Sequence, residues 1–219
     1  VRLAFVLIAA LCALLMTSDR PVAAQQSRTH GRLFQPQDLG LLESPDRDLW
    51  QRPDLVMDAL GLADASRVAD VGAGSGWFTI RLARRVGPQG VVYAQDVQPA
   101  MLSAITRRVQ REGLLNVRPV LGERSDPRLP RGALDAVLLV DAYHEIDDRV
   151  TMLANIGSSL RPTGRIGVID FKLEGGGPGP EFDERVSPEV VVRDAERAGL
   201  RLLRNESFLP YQYFLIFGR

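Results

Sequence analysis

The chain is short of cysteine, lysine and histidine and carries no net charge, and each shortage excludes something. Cys12 is the only cysteine among 219 residues, so no intrachain disulfide is available and the fold must stand on its core alone. The 27 basic residues balance the 27 acidic ones, which removes any electrostatic reason to expect nucleic acid or another polyanion as partner. Lys172 is the only lysine, a bias we attribute to coding rather than to function. The long uncharged run, Leu3 to Met16, is too short to span a bilayer comfortably. What remains is 45% hydrophobic and 25% charged, an ordinary composition for one globular domain with a sizeable core. No internal repeat and no second domain are visible.

The N-terminal segment reads separately from the rest. Arg2 precedes the apolar run, and small residues at Val22-Ala23-Ala24 precede Gln25. A basic start, a short apolar core and a small-residue site describe a secretory signal peptide over residues 1–24, cleaved after Ala24, and an exported, periplasmic protein. The rival is an uncleaved membrane anchor through residues 3–18. A buried helix fits less well, because the run is apolar all round rather than striped. Leu11 before Cys12 lacks the small side chain of a lipoprotein signal. Residues 25–45 read as a loose polar arm and 46–219 as the folded domain.

The domain is organised around Arg67-Val68-Ala69-Asp70-Val71-Gly72-Ala73-Gly74-Ser75-Gly76. An apolar β-type run carries one acid, breaks into three alternate glycines, and gives way at once to the helical pattern Trp77 to Ala83. Strand, glycine turn and helix N-terminus in that order aim backbone N–H groups and a helix dipole at a ligand. The spacing is G-x-G-x-G; Trp77 and Thr79 occupy the places where a dinucleotide fingerprint wants its third glycine. Further strands are expected at Val91–Val97, Asn116–Leu121, Leu134–Val140, Arg165–Phe171, Leu200–Phe208 and Tyr211–Phe217. Helices are expected at Pro99–Arg111, Arg149–Arg161 and from Ser187 to Ala198, with another stretch opened by Asp46 to Pro53. Trp50 there reads as a packed core aromatic, with closure over a ligand as the alternative. Strands alternating with helices argue an α/β fold: a doubly wound, mostly parallel sheet with helices on both faces and a C-terminal antiparallel hairpin strand.

With Asp70 two residues before the first glycine, this stretch resembles motif I of the class I S-adenosylmethionine (SAM)-dependent methyltransferases, and later matches run from about Trp50 onward. The resemblance implies seven strands, the last inserted antiparallel beside the fifth. It also implies SAM as cofactor and methyl transfer to a small-molecule or peptidic acceptor. Gly72, Gly74 and Gly76 would hold the cofactor's backbone-facing side. Asp70 would stabilise the loop and face the cationic methionine end; a carboxylate suits an ammonium and a sulfonium and would repel a pyrophosphate. Asp96, ending the second strand, is placed to accept from both ribose hydroxyls, a role equally suited to NAD. Asp126 is assigned to the adenine amino group, though an Asp-Pro turn explains it nearly as well. Asp141 is assigned to the cofactor end of the segment Asp141-Ala142-Tyr143-His144-Glu145, where acceptors enter.

That segment lacks the two prolines of family members that methylate planar amino groups. Without a cysteine past the signal, C5-pyrimidine methylation has no nucleophile. A metal-dependent mode would use Asp141 and Asp170, but Phe171 stands where it wants Asn, so no metal is expected. His144 is the candidate base, its ring oriented by Glu145 or Asp141, with Tyr143 walling the acceptor pocket; the alternative is a purely structural histidine. Two further functions stay open: a non-catalytic exported SAM- or nucleoside-binding protein, and an NAD-type oxidoreductase disfavoured by the glycine spacing.

Overall fold

The computed structural model describes residues 33–174 and 176–219; the segment read as signal peptide or anchor, and the first part of the arm, lie outside the described residues. Seven strands form one sheet: β1 (Arg67–Val71), β2 (Val91–Asp96), β3 (Val117–Leu121), β4 (Leu134–Val140), β5 (Leu160–Phe171), β6 (Arg201–Glu206) and β7 (Gln212–Gly218). Their order is β3-β2-β1-β4-β5-β7-β6. From β1 the chain winds outward through β2 and β3, then returns to place β4 on the other side of β1. That reversal opens a crevice at the carboxyl ends of β1 and β4, where ligands of such sheets bind. β7 runs antiparallel between β5 and β6, as expected, with Val168 opposite Leu215.

The period of two along each central strand divides the core between the two faces. Val68, Ala136 and Leu138 pack beneath α2 (Pro53–Ala59) and α3 (Trp77–Val86), where Val56, Met57, Phe78 and Leu82 meet them. Ala69, Val71, Val137 and Leu139 face the opposite way, onto Met152, Leu153 and Ile156 of α5 (Arg149–Ser159) and Val191 and Ala195 of α6 (Pro188–Arg197). α4 (Pro99–Arg111) closes a third cluster through Ile105 and Val109.

Three local expectations change. Pro53 divides the first helical stretch into α1 (Arg47–Gln51) and α2, with Arg52 between them at φ 46°; the residue before proline is driven out of the right-handed helical region. β5 starts at Leu160 rather than Arg165, because Leu160 already pairs with Leu134 before a register shift lets Arg165 join Ala136. The described part of the arm is held rather than loose. Pro36–Glu43 forms a 3-10 helix. Ahead of it, the Phe34 N–H donates to Glu145 (3.2 Å) and the Phe34 carbonyl accepts from Gln98 Nε2 (2.9 Å). Among the described residues no helix is long and apolar enough to cross a membrane.

Candidate active site

Gly72, Gly74 and Gly76 all lie in the left-handed region, at φ 69°, 53° and 77°. At Gly72 the need is doubled, since a Cβ there would lie 2.6 Å from the Cβ of Ala142 on the β4 loop. The turn is tied to the next strand: the Gly74 N–H donates to Asp96 Oδ2 (3.0 Å), while Asp96 Oδ1 accepts from the Gln98 N–H (2.9 Å). Burial raises the Asp96 carboxyl, against those backbone donors. Asp70 is buried at the end of β1 and accepts from the Thr79 hydroxyl (2.6 Å). Its burial pushes it up to about 6.

Asp141, at φ 54°, sits at the centre of a closed polar ring. Arg47 Nε donates to Gln51 Oε1 (2.8 Å), Gln51 Nε2 donates to Gln212 Oε1 (2.7 Å), and Gln212 Nε2 reaches Asp141 Oδ1. Arg47 Nη2 closes the circuit on Asp141 Oδ2 at 3.3 Å. The same guanidinium lies over the Trp77 ring, 4.4 Å from its centroid. Burial nevertheless pushes Asp141 up to about 7, with Arg47 opposing. Burial likewise raises Glu145 to about 7.

Two cavities meet at this ring. The smaller, about 120 Å³, lies against the glycine turn and includes Asp70, Gly72, Gly74 and Asp96 in its wall. The larger, about 680 Å³, is bounded by Trp50, His144, Phe171 and the loop around Pro178 and Pro180. Leu33, Phe34, Leu42, Arg47, Asp141 and Glu145 line both.

The expected site residues are therefore only partly assembled. Asp70, Gly72, Gly74, Asp96 and Asp141 share the smaller cavity, and Gly76 stands behind it as the N-cap of α3. Asp126 does not join them: it is exposed, and its carboxyl accepts the Arg128 N–H (2.8 Å) in the turn that its Asp-Pro sequence also explained. Tyr143 does not wall the acceptor pocket. The 3-10 turn Tyr143–Glu145 carries it into the core, where its hydroxyl donates to Asp194 (2.9 Å). Trp50 is half-buried on the wall of the larger cavity, 6.2 Å from both Phe171 and Tyr211, rather than inside the core.

His144 faces the larger cavity, but its ring is oriented by Asp170, not by Glu145 or Asp141. Nδ1 lies 3.0 Å from both Asp170 oxygens, and the His144 backbone N–H donates to Oδ2 of the same carboxyl. Burial alone would lower the imidazolium; the hydrogen bond and charge of Asp170, with Glu145 and Asp141, overturn that and raise it to about 9. A ring raised in that direction favours its proton at neutral pH, which counts against the free base expected from the sequence.

Residues 68–164 match the family model of a methyltransferase domain. A ubiquinone/menaquinone biosynthesis C-methyltransferase of Idiomarina loihiensis is 27% identical over 124 residues, 56% of this chain and 49% of that protein. The nocamycin O-methyltransferase of Saccharothrix syringae is 35% identical over 99 residues, 45% of this chain and 35% of that one. The match thus spans about half or less of these relatives' length. A SAM-dependent methyltransferase from Aquifex aeolicus superposes with a TM-score of 0.80 at 29% identity, over 84% of this chain and 98% of that structure. These matches support a class I methyltransferase.

SAM is the cofactor that such a methyltransferase implies, and the residues at the smaller cavity fit it. Two of its wall residues carry buried polar atoms, Ser75 Oγ and Gln95 Nε2, with no hydrogen-bond partner among the described residues. Three carboxyls, Asp70, Asp96 and Asp141, supply acceptors for an ammonium and ribose hydroxyls, beside backbone that only glycine leaves bare. Among the described residues no group of three or more His, Cys, Asp or Glu is arranged to hold a metal. Arg47 on the wall of both cavities, and Gln51 and Gln212 behind it in the ring around Asp141, are residues that the sequence reading missed. No motif marks them, because the ring closes between residues 94 and 161 positions apart.

Proposed function

We propose that this chain transfers a methyl group from SAM to a small molecule held in the larger cavity. One observation carries the reading: Asp141, Glu145, Arg47 and Phe34 line both cavities, so a nucleoside site on the glycine turn opens directly onto a second, larger space. SAM supplies the methyl group from a sulfonium that is already a good leaving group. The protein's part is alignment, exclusion of water and, for a protonated or hydroxyl acceptor, removal of a proton. Asp70 and Asp96 would hold the cofactor. Asp141 and Glu145, carboxyls poised near neutrality at the junction, are better placed than His144 to receive a proton. His144, held by Asp170, would orient the acceptor as a donor.

The test incubates the purified protein with methyl-labelled SAM and a small-molecule extract of its own cells, then locates the label. Label in a discrete product, absent with Asp70→Asn/Asp96→Asn protein, supports the reading. Binding of SAM with no transfer to any fraction would favour the non-catalytic binding protein instead.

A further inference from the structure

The larger cavity has an unbalanced wall. Its apolar part combines three aromatic rings, Phe34, Trp50 and Phe171, the last two 6.2 Å apart at 46°, with Leu33, Leu41, Leu42, Pro178 and Pro180. Its ionisable part is acidic. Asp141 and Glu145 lie at the inner end, and Asp38, Asp183 and Glu184 lie at the exposed rim. None of the three rim acids forms an ion pair with a described residue. Among the described residues two basic groups line the same space, and each is already matched. Arg47 is spent on Asp141 at 3.3 Å and His144 on Asp170 at 3.0 Å. In a chain with equal numbers of acidic and basic residues this is a local asymmetry, not a reflection of overall charge.

We infer that the larger cavity binds an organic amine: a cationic nitrogen on a planar or bulky apolar body. This deepens the proposed function, since it rests on that cavity being the acceptor site. Two effects with different ranges select such a ligand. Aromatic faces attract a cation within about 6 Å of the ring while also covering an apolar body. The rim and inner carboxyls add a field that concentrates cations at the mouth and weakens with salt. A carboxylate or phosphate of the same shape would meet five acidic side chains; among the described residues the one nearby basic group without an ion pair, Arg185, lies behind the wall, over Phe171 (5.4 Å to the ring centroid) and bonded to the Pro180 and Lys172 carbonyls. A neutral ligand would gain the apolar contact alone. Glu145 is the wall acid nearest the cofactor side: it lines both cavities, its Oε2 accepts the Phe34 N–H (3.2 Å), and a bound ammonium would share its Oε1 with His144 Nε2, 3.9 Å away.

The test uses three matched probes on the full chain, by calorimetry at pH 7.5 and low salt: tryptamine as cation, tryptophol as its neutral counterpart and indole-3-propionate as anion. Each is titrated with and without saturating S-adenosylhomocysteine, whose own affinity is measured first. Tryptamine should bind at least tenfold more tightly than tryptophol, with the anion weakest. Asp183→Asn/Glu184→Gln should narrow the gap between tryptamine and tryptophol at least threefold while leaving S-adenosylhomocysteine affinity unchanged. Trp50→Ala should weaken all three probes. Equal or weaker binding of tryptamine than of tryptophol, saturable binding by none of the probes, or a gap indifferent to the rim acids overturns the inference. Failure of S-adenosylhomocysteine to bind strikes the proposed function instead, and the probe order measured without it still decides the chemistry of the cavity.

Discussion

Asp170 offers the sharpest perturbation, because its exchange for Asn removes a charge and keeps the shape. In the folded protein the His144 imidazole is raised from its ordinary 6.5 to about 9, despite burial that acts the other way. A displacement of that size represents about 3 kcal/mol of preference for the protonated ring, and the ring is deep enough, 10% exposed, for solvent to screen little of it. The sign follows from proton binding. Between 6.5 and 9 the folded state holds a proton that the unfolded state has lost, so this stability is complete below pH 6.5 and disappears as pH rises through 9. Asp170→Asn should bring the His144 midpoint down to 6.5 or below. It should also destabilise the domain by roughly 3 kcal/mol more at pH 6 than at pH 10. Proton NMR reads the midpoint directly, since the chain has only two histidines and His144→Ala assigns the signal. Urea denaturation at the two pH values reads the stability. A wild-type midpoint near 6.5, or a stability loss independent of pH, would refute the pairing as the source of His144's charge.

Gly72→Ala combines a left-handed backbone with a Cβ 2.6 Å from that of Ala142, and should cost about 2–4 kcal/mol in urea unfolding. Gly113→Ala, at a similar φ with nothing within 4 Å, isolates the backbone share at about 1 kcal/mol; equal losses at both positions would contradict the close-approach argument. Asp96→Ala should remove roughly 1.5–3 kcal/mol of S-adenosylhomocysteine binding, the scale of hydrogen bonds to a charged group, as calorimetry can check. SAM carries a sulfonium that its demethylated product lacks. Its affinity relative to that product should therefore rise roughly tenfold from pH 5.5 to 8, as Asp70 and Asp141, raised to about 6 and about 7, ionise; a constant ratio argues against either carboxyl facing the sulfonium. Export is proposed from residues 1–24, and N-terminal sequencing of protein from fractionated cells should find a start at Gln25 outside the cytoplasm; an uncut protein in the soluble cytoplasmic fraction rules it out.

The turn after β1 was legible because its determinants are local. Period-two apolar residues, a buried acid and alternate glycines all fall within ten positions, and each φ above zero lies where a glycine stands. The strand at β4 was equally plain, being apolar on both faces. Asp126 and Tyr143 were misplaced for a shared reason. Each is a residue whose role depends on which way a short irregular segment turns, and sequence adjacency does not decide that. In the 3-10 turn Tyr143–Glu145 one residue goes into the core, the next to Asp170 and the third to the cavities. Trp50 failed differently: an aromatic lining a cavity and an aromatic in a core have the same local pattern, and only the position of Phe171 and Tyr211 separates them.

The buried ring ties the arm to the site. Asp141 is an acid at a position where burial opposes its charge, and the cation that offsets this comes from the chain itself, Arg47. Arg47 Nη1 also donates to the Leu42 carbonyl (2.6 Å), at the end of the arm that covers both cavities. At about 120 Å³ the smaller cavity is well under the roughly 300 Å³ at which small-molecule sites begin. A nucleoside seated there would extend past Phe34, Leu42 and Arg47 toward the larger cavity, whose wall they share. A cation arriving beside Asp141 supplies the charge that Arg47 otherwise provides, and any displacement of Arg47 withdraws the donor that holds Leu42. A single guanidinium thus joins the Leu42 end of the arm to an acid 94 residues away in sequence.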